Sequence, residues 1–194
     1  MGTRSTGGGR GGPKGTEGVA AHGKGQRGRA RIGNLHGLSP EMQAVVKGVV
    51  AAEDKASALP PMVVRMMRPE EAPDFPYHAW VLPSAQTGIP VLVINPLYQD
   101  TVVMHDTMIH EIGHVREAQL MRSNPAGMSP DWDQAITGYE RVFTQGGGTG
   151  GTPFEYARER FAESYRQWRA DPAGFTDVDF PQIKAIFERN WSAR

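Results

Sequence analysis

The sequence contains no cysteine. That excludes a disulfide framework, a thiolate nucleophile and cysteine-ligated zinc. Any metal has to be held by His, Asp or Glu, and the redox compartment is left open. Also missing is any run of 18 apolar residues, which excludes a transmembrane helix and a membrane partner of that kind. The opening stretch MGTRSTGGGRGGPKG has no apolar h-region. No Sec-type signal peptide is therefore expected. We expect a chain that is cytoplasmic when made, and either virion-associated or delivered as an effector afterwards. Net charge is absent too, with 21 basic and 21 acidic residues. Hydrophobic residues make up only 39%, enough for a modest core in a 194-residue chain of one ordinary domain plus a tail. Gly-x-Ser-x-Gly does not occur, so there is no nucleophile elbow.

The neutral total conceals an uneven distribution. Residues 1–37 carry seven basic residues (Arg4, Arg10, Lys14, Lys24, Arg27, Arg29, Arg31) against Glu17 alone, a balance of +6. The remaining 14 basic and 20 acidic residues leave 38–194 at −6. Thirteen of the 24 glycines also fall in 1–37, with no aromatic residue. Such a segment buries too little surface to offset its ordering entropy and reads as a disordered tail. Its Arg and Lys interleaved with Gly suit non-specific contact with nucleic-acid phosphates. A solubilising or docking linker is the competing reading.

The body, 38–194, reads as α+β. Ser39-Pro40-Glu41 opens a helix, with Ser39 as cap and Met42, Val45, Val46, Val49 and Val50 as its apolar stripe, running to about Ala56. Short extended candidates follow at Met62–Met67, His78–Leu82 and Pro90–Ile94. The last is almost continuously apolar, as a strand covered on both faces would be. Gly88 and Asn95-Pro96 punctuate it. From residue 104 onward the signals are helical, and no internal repeat appears. Helix, small sheet, then helices is an α+β order.

The chemical centre is TMIHEIGHVR at 107–116. His110-Glu111-Ile112-Gly113-His114 is an HExxH motif. On a helix, positions i and i+4 share a face, so His110 and His114 can bind one metal ion while Glu111 reaches a water beside it. The spacing predicts a helix over 107–122, with Asp106 as N-cap and a stop at Asn124-Pro125. Gly113, a weak helix former, marks a place where another backbone or a substrate comes close. An amphipathic helix with two solvated histidines is the bland alternative. His105, five residues before His110, is expected to pack or hydrogen-bond near the helix start rather than ligate.

Zinc hydrolases use three protein ligands and keep a fourth position for water. His22, His36, His78 and His105 are scattered, so a carboxylate is the natural third ligand. The segment TPFEYARERFAESYRQWRA at 152–170 opens with a capping box, Thr152-Pro153-Phe154-Glu155. Its helix carries an aromatic stripe (Phe154, Phe161, Tyr165, Trp168) and an acidic row (Glu155, Glu159, Glu163). The row suits a second metal-bearing helix, or else a solvated face paired with Arg158, Arg160 and Arg166. Ala162 is small enough to let this helix approach the HExxH helix closely. The glycine-rich run Gln145–Gly151 lacks a following Lys-Ser/Thr, so it is not a P-loop, and it reads as a flexible loop between the two metal helices, lining the cleft.

HEIGH followed by ERFAESYR resembles the zinc-metalloprotease domain of the anthrax lethal factor group, with its Pro-Pro endopeptidases and related phage and toxin metallopeptidase domains. The resemblance covers roughly residues 90–194. It implies a zincin-like fold, a Zn²⁺ cofactor and a protein or peptide substrate. In that group a helix reading E-x-F-A-E-x-[FY] supplies the third ligand as its first Glu, and the second Glu supports the site from behind a ligand. Those positions are here Glu159, 45 residues after His114, and Glu163. Asp171-Pro172 and a final helix over Phe180–Trp191 also follow the group's pattern. The chain departs from it at Thr152, where the group has a Tyr that assists the transition state. Tyr156 and Tyr139 are the available stand-ins. A weaker resemblance is to regulatory metallopeptidases of the ImmA/IrrE type, whose step between the two motifs is shorter.

Three functions follow as expectations. The first is a zinc endopeptidase with Glu111 as general base, Glu163 holding one ligand histidine through its second ring nitrogen, and Val91–Ile94 pairing with an extended substrate. The second is a zinc-stabilised structural phage virion component, its tail engaging assembly partners or nucleic acid. The third is a toxin or effector module with the chemistry of the first.

Overall fold

A computed structural model describes residues 30–71, 77–82, 88–124, 127–147 and 151–192. The described residues form a four-stranded sheet and five helices, an α+β arrangement. In chain order these are β1 (Arg31–Ile32), α1 (Pro40–Ala56), β2 (Val63–Met66), β3 (Ala79–Leu82), β4 (Val91–Ile94), α2 (Thr101–Met121), α3 (Pro130–Gln145), α4 (Pro153–Ala170) and α5 (Ile183–Trp191). The sheet order is β1-β2-β4-β3. β1, β2 and β4 run parallel, and β3 pairs antiparallel with β4 at the edge, Ala79 opposite Ile94 and Leu82 opposite Val91.

The three expected strands are in place, and so is α1. The Ser39 hydroxyl accepts from the Met42 N–H at 3.1 Å, and Pro40 occupies the first turn. Two boundaries move. Residues 30–37 are not part of a tail: Arg31 and Ile32 pair with Val63 and Val64, and Leu35 is buried in the core. Two residues of backbone pairing are a weak sequence signal, which the glycines on either side obscure. The tail reading of residues 1–29 lies outside the described residues. The HExxH helix α2 also starts earlier than expected. Asp100, not Asp106, is its N-cap, and its Oδ1 accepts from the Val102 and Val103 N–H groups at 2.9 and 3.0 Å. Asp106 is inside the second turn and pairs with Arg166 instead.

α2 is the element around which the rest is arranged. Met104, Met108, Ile112 and Val115 are fully buried along it, in one apolar cluster with Met42, Val46 and Val49 of α1 and Val64, Leu92 and Ile94 of the sheet. Another flank faces α4. A Cβ at Gly113 would lie 2.8 Å from Ala162 Cα and 3.0 Å from its carbonyl oxygen. The expectation of a close approach at Gly113 and Ala162 is met, and the approaching backbone is that of α4. Behind α4, Phe161, Tyr165 and Trp168 interleave with Phe187 and Trp191 of α5 in edge-on pairs such as Phe161–Phe187 and Tyr165–Trp191, at 5.3 and 5.6 Å. Phe154, expected in the same stripe, is 43% exposed and meets Trp132 of α3.

No described helix is long and apolar enough to cross a membrane. The Gly113 contact yields a direct expectation. Gly113→Ala adds helix propensity of about 1 kcal/mol, but overpacking against backbone costs about 1–3 kcal/mol. Alanine should therefore lower the urea midpoint, whereas at an unconstrained helical glycine it would raise it.

Candidate metal centre

α2 and α4 pack as an antiparallel pair, and the candidate ligands face each other across it. His110 Nε2 lies 3.3 Å from Glu159 Oε2, and His114 Nε2 lies 3.4 Å from Glu159 Oε1. One ligand atom from each of the three lies within 4.8 Å of the others. The histidine rings stand edge-on, 5.1 Å between centroids, as expected one helical turn apart. Zinc bonds of about 2.0–2.1 Å in a tetrahedral arrangement place neighbouring ligand atoms about 3.3 Å apart. The two His–Glu separations, one to each Glu159 oxygen, are close to that edge length. A His₂Glu donor set is also the one zinc hydrolases use, so the residues present fit the ion.

Charge pairing singles out Glu159 in the acidic row. Hydrogen bonds from His110 and His114 hold the Glu159 carboxyl far below the ordinary carboxylate range, against the opposing effect of burial. Burial pulls His110 down, but Glu159 and the charges of Glu111 and Glu163 outweigh it and leave the ring raised. Solvated-face pairing with arginine, the alternative for the acidic row, takes only Glu163. Arg158 goes to Glu117 and Arg160 to Asp177 and Asp179, while Arg166 takes Glu163 and Asp106. Glu155 is occupied in the capping box, its Oε2 accepting from the Thr152 N–H at 2.8 Å. Glu159 is left to the histidines.

Glu111 is 8% exposed and lies on the sheet side of the site. Burial raises its carboxyl above the usual range, while the two histidines and a hydrogen bond from the Val81 N–H oppose the shift. Val81 belongs to β3, so the edge strand and the candidate base are in direct contact. The Asn95 N–H donates to the His78 carbonyl at 2.9 Å. By the alternation of an antiparallel ladder, Ala79 and Val81 then turn their main-chain groups away from β4. β4 itself lies between β2 and β3 with both sides paired. The expectation that Val91–Ile94 pairs with a substrate is thus overturned. Its continuous apolar character reflects a central strand, and the edge belongs to β3.

The remaining candidates divide. Glu163 Oε2 is 3.6 Å from His110 Nδ1, on the expected ring nitrogen but too long for a hydrogen bond. Its nearer partners are Arg166 and Gln167, and Arg166 chiefly holds its carboxyl down to about 2. His114 Nδ1 is buried with no hydrogen-bond partner among the described residues. His105 is half exposed and pairs with Asp106 at 3.2 Å, outside the ligand cluster. Tyr156 is partly buried one turn before Glu159, its ring 5.2 Å from Phe143. Tyr139, the other stand-in, is fully buried on α3. The glycine-rich run follows α3 and so joins α3 to α4, with residues 148–150 outside the described residues.

Tyr139 belongs to a cluster that the sequence did not reveal. Its hydroxyl lies 2.8 Å from both Ser164 Oγ and Asp177 Oδ2, and the Ser164 hydroxyl donates to Asp177 Oδ2 at 2.6 Å. Burial drives the Tyr139 phenol far above its ordinary range. It is committed to tying α3, α4 and the segment before α5 together, and does not stand in for the absent Tyr. Burial alone would raise Asp177. The Ser164 hydroxyl, the Phe180 N–H, Tyr139 and Arg160 outweigh it and hold the carboxyl below its usual value. A carboxylate depressed in the folded state stabilises above its unfolded pKa, and that contribution is lost as pH falls through the folded one. Asp177→Asn should cost about 1–3 kcal/mol at pH 7. The gap to wild type should narrow below about pH 4, as thermal unfolding across pH 3–7 would show.

No protein-family model, curated protein or solved structure matches the chain, and the reading of the centre rests on its own geometry.

Proposed function

We propose that the chain is a zinc-dependent endopeptidase with a zincin-like body. The observation that carries this is the meeting of His110 Nε2, His114 Nε2 and the Glu159 carboxylate, with one buried carboxylate, Glu111, beside them. The antiparallel edge strand next to the HExxH helix adds support. Zinc held by these three residues would polarise a substrate carbonyl and lower the pKa of a water to about 7.

The chain's own residues do the rest. Glu111, desolvated and raised, accepts a proton from the attacking water and passes it to the leaving nitrogen. An extended peptide added along β3 would meet the outward main-chain groups of Ala79 and the Val81 carbonyl, with the Val81 N–H held by Glu111, which would place its backbone beside Glu111. Such pairing reads backbone rather than side chains and tolerates varied sequences. Glu163 keeps negative charge behind His110, which favours the ring's binding orientation.

A second reading is a zinc-stabilised structural component of a phage virion with little or no protease activity. Thr152 favours it: the position that would carry an assisting phenol is an exposed threonine committed to capping α4.

Incubating the zinc-loaded chain with a proteome-derived peptide mixture, read by mass spectrometry, separates the two. The endopeptidase reading predicts cleavage that falls about 10²–10⁴-fold in Glu111→Gln. Cleavage no greater in wild type than in that variant contradicts it and leaves the structural reading. Tyr156→Phe should lower the rate about 10²-fold if its hydroxyl stabilises developing charge. Equal rates would remove Tyr156 from the reaction.

A further inference from the structure

Three residues after His114, α2 carries Glu117, whose side chain is 3% exposed. Its Oε2 accepts from Arg158 Nε at 2.8 Å, and its Oε1 accepts from Trp132 Nε1 at 3.2 Å. Arg158 is the residue immediately before Glu159. One charge pair therefore links the turn after one ligand to the neighbour of another, and Trp132 brings α3 into the same contact. The Arg158 guanidinium also lies over the Phe154 ring, 5.9 Å from its centroid.

A desolvated carboxylate is a poor device for stability alone. An apolar side chain of similar volume would hold the helices together as well or better, because the ion pair gives back most of its Coulomb energy in desolvation. What an ion pair with two directed hydrogen bonds supplies is geometry. Close approach at Gly113 and Ala162 fixes the distance between α2 and α4. Toward the C-terminal half of α4 the rotation is held by Tyr165 and Arg169 on the buried Glu53 and by Ser164 on Asp177, but none of these contacts sits beside Glu159. A contact through the adjacent Arg158 holds it there, because turning residue 158 turns residue 159 with it. At the other end Arg166 spans to Asp106 at 3.2 Å with both partners partly exposed, at 30% and 55%, whereas in the Arg158 pair the arginine is 43% exposed and Glu117 only 3%.

We infer that Glu117 and Arg158 form a clamp that sets the rotation of α4 at Glu159 and so aims that carboxylate at the two histidines, making Glu117 a positioning residue for the metal centre. The inference rests on the metal-centre reading above. It goes beyond it in assigning the aim of the third ligand to a pair with one buried partner, Glu117, that touches no ligand atom of the ion.

The test is zinc affinity of the full chain, by competition with a chromophoric chelator, for wild type, Glu117→Gln, Arg158→Met, the double variant and Arg158→Lys. Glu117→Gln keeps an acceptor for Trp132 and loses the charge. Arg158→Met leaves a buried carboxylate unpaired, and Arg158→Lys keeps the charge but not the planar donor. We expect Kd to weaken about 10–100-fold in each of the first two. The double variant should weaken no further than the worse single, and Arg158→Lys should fall between. Cobalt-loaded Glu117→Gln should show altered visible bands at saturation. Ile186→Val, which loosens the core on α5, serves as control: its urea midpoint should fall while its zinc Kd stays at the wild-type value. Kd within twofold of wild type in Glu117→Gln and Arg158→Met, with an unchanged cobalt spectrum, overturns the clamp. If Glu117→Gln does not fold, the Arg158 variants read the same pair from its exposed side. A wild type that binds neither zinc nor cobalt overturns the metal centre and the clamp together. Tight binding in wild type and every variant overturns the clamp alone.

Discussion

Backbone against backbone at Gly113 and Ala162 is the constraint on which the candidate site depends. A histidine pair on one helix reaches a carboxylate on another only if the two axes come close, and side chains at either position would hold them apart. Glycine inside a helix costs about 1 kcal/mol relative to alanine, so its place in the middle of HEIGH needs a return. The return is proximity: Glu159 oxygens 3.3 and 3.4 Å from the two imidazoles. The apolar flank of α2, set into the sheet and α1, and the aromatic wall between α4 and α5 press the pair together from outside.

Charges then organise what packing brings near. Along the α2–α4 seam the pairs run Arg166 with Asp106, the histidines with Glu159, and Arg158 with Glu117. The arginines of α4 are thereby spent on carboxylates other than Glu159. In a row of three glutamates at identical spacing, partner competition leaves Glu159 alone facing both histidines. Glu155 is consumed by the cap and Glu163 mainly by Arg166. The buried Glu111, supported by the edge strand, lies beside the histidines, and in the proposed reading Glu159 would bind the ion and Glu111 would carry the proton.

Much of this was legible from residues. The HExxH spacing, the capping box at Thr152 and the small pair Gly113 and Ala162 are local signals with period 3.6, and they placed both helices and the candidate ligands. The start of α2 was not, because Asp100 and Asp106 are equally good caps by composition and only tertiary pairing with Arg166 distinguishes them. Strand order was also out of reach. An apolar run such as PVLVIN says that a strand is covered on both faces, but not that both its edges are paired. β1 was hidden because two residues carry no period. The cluster of Tyr139, Ser164 and Asp177 joins positions up to 38 apart, and nothing in one sequence announces such contacts. Glu117 did carry a signal, its three-residue step from His114.

The central claim is a three-ligand zinc centre, and elemental analysis tests it most directly. Wild type and Glu159→Ala would be stripped with a mild chelator, dialysed against trace zinc and measured for zinc per chain. The account predicts close to one zinc in wild type and little in the variant, with both chains folded. Folded wild type that retains none, or a variant that retains as much as wild type, would contradict it.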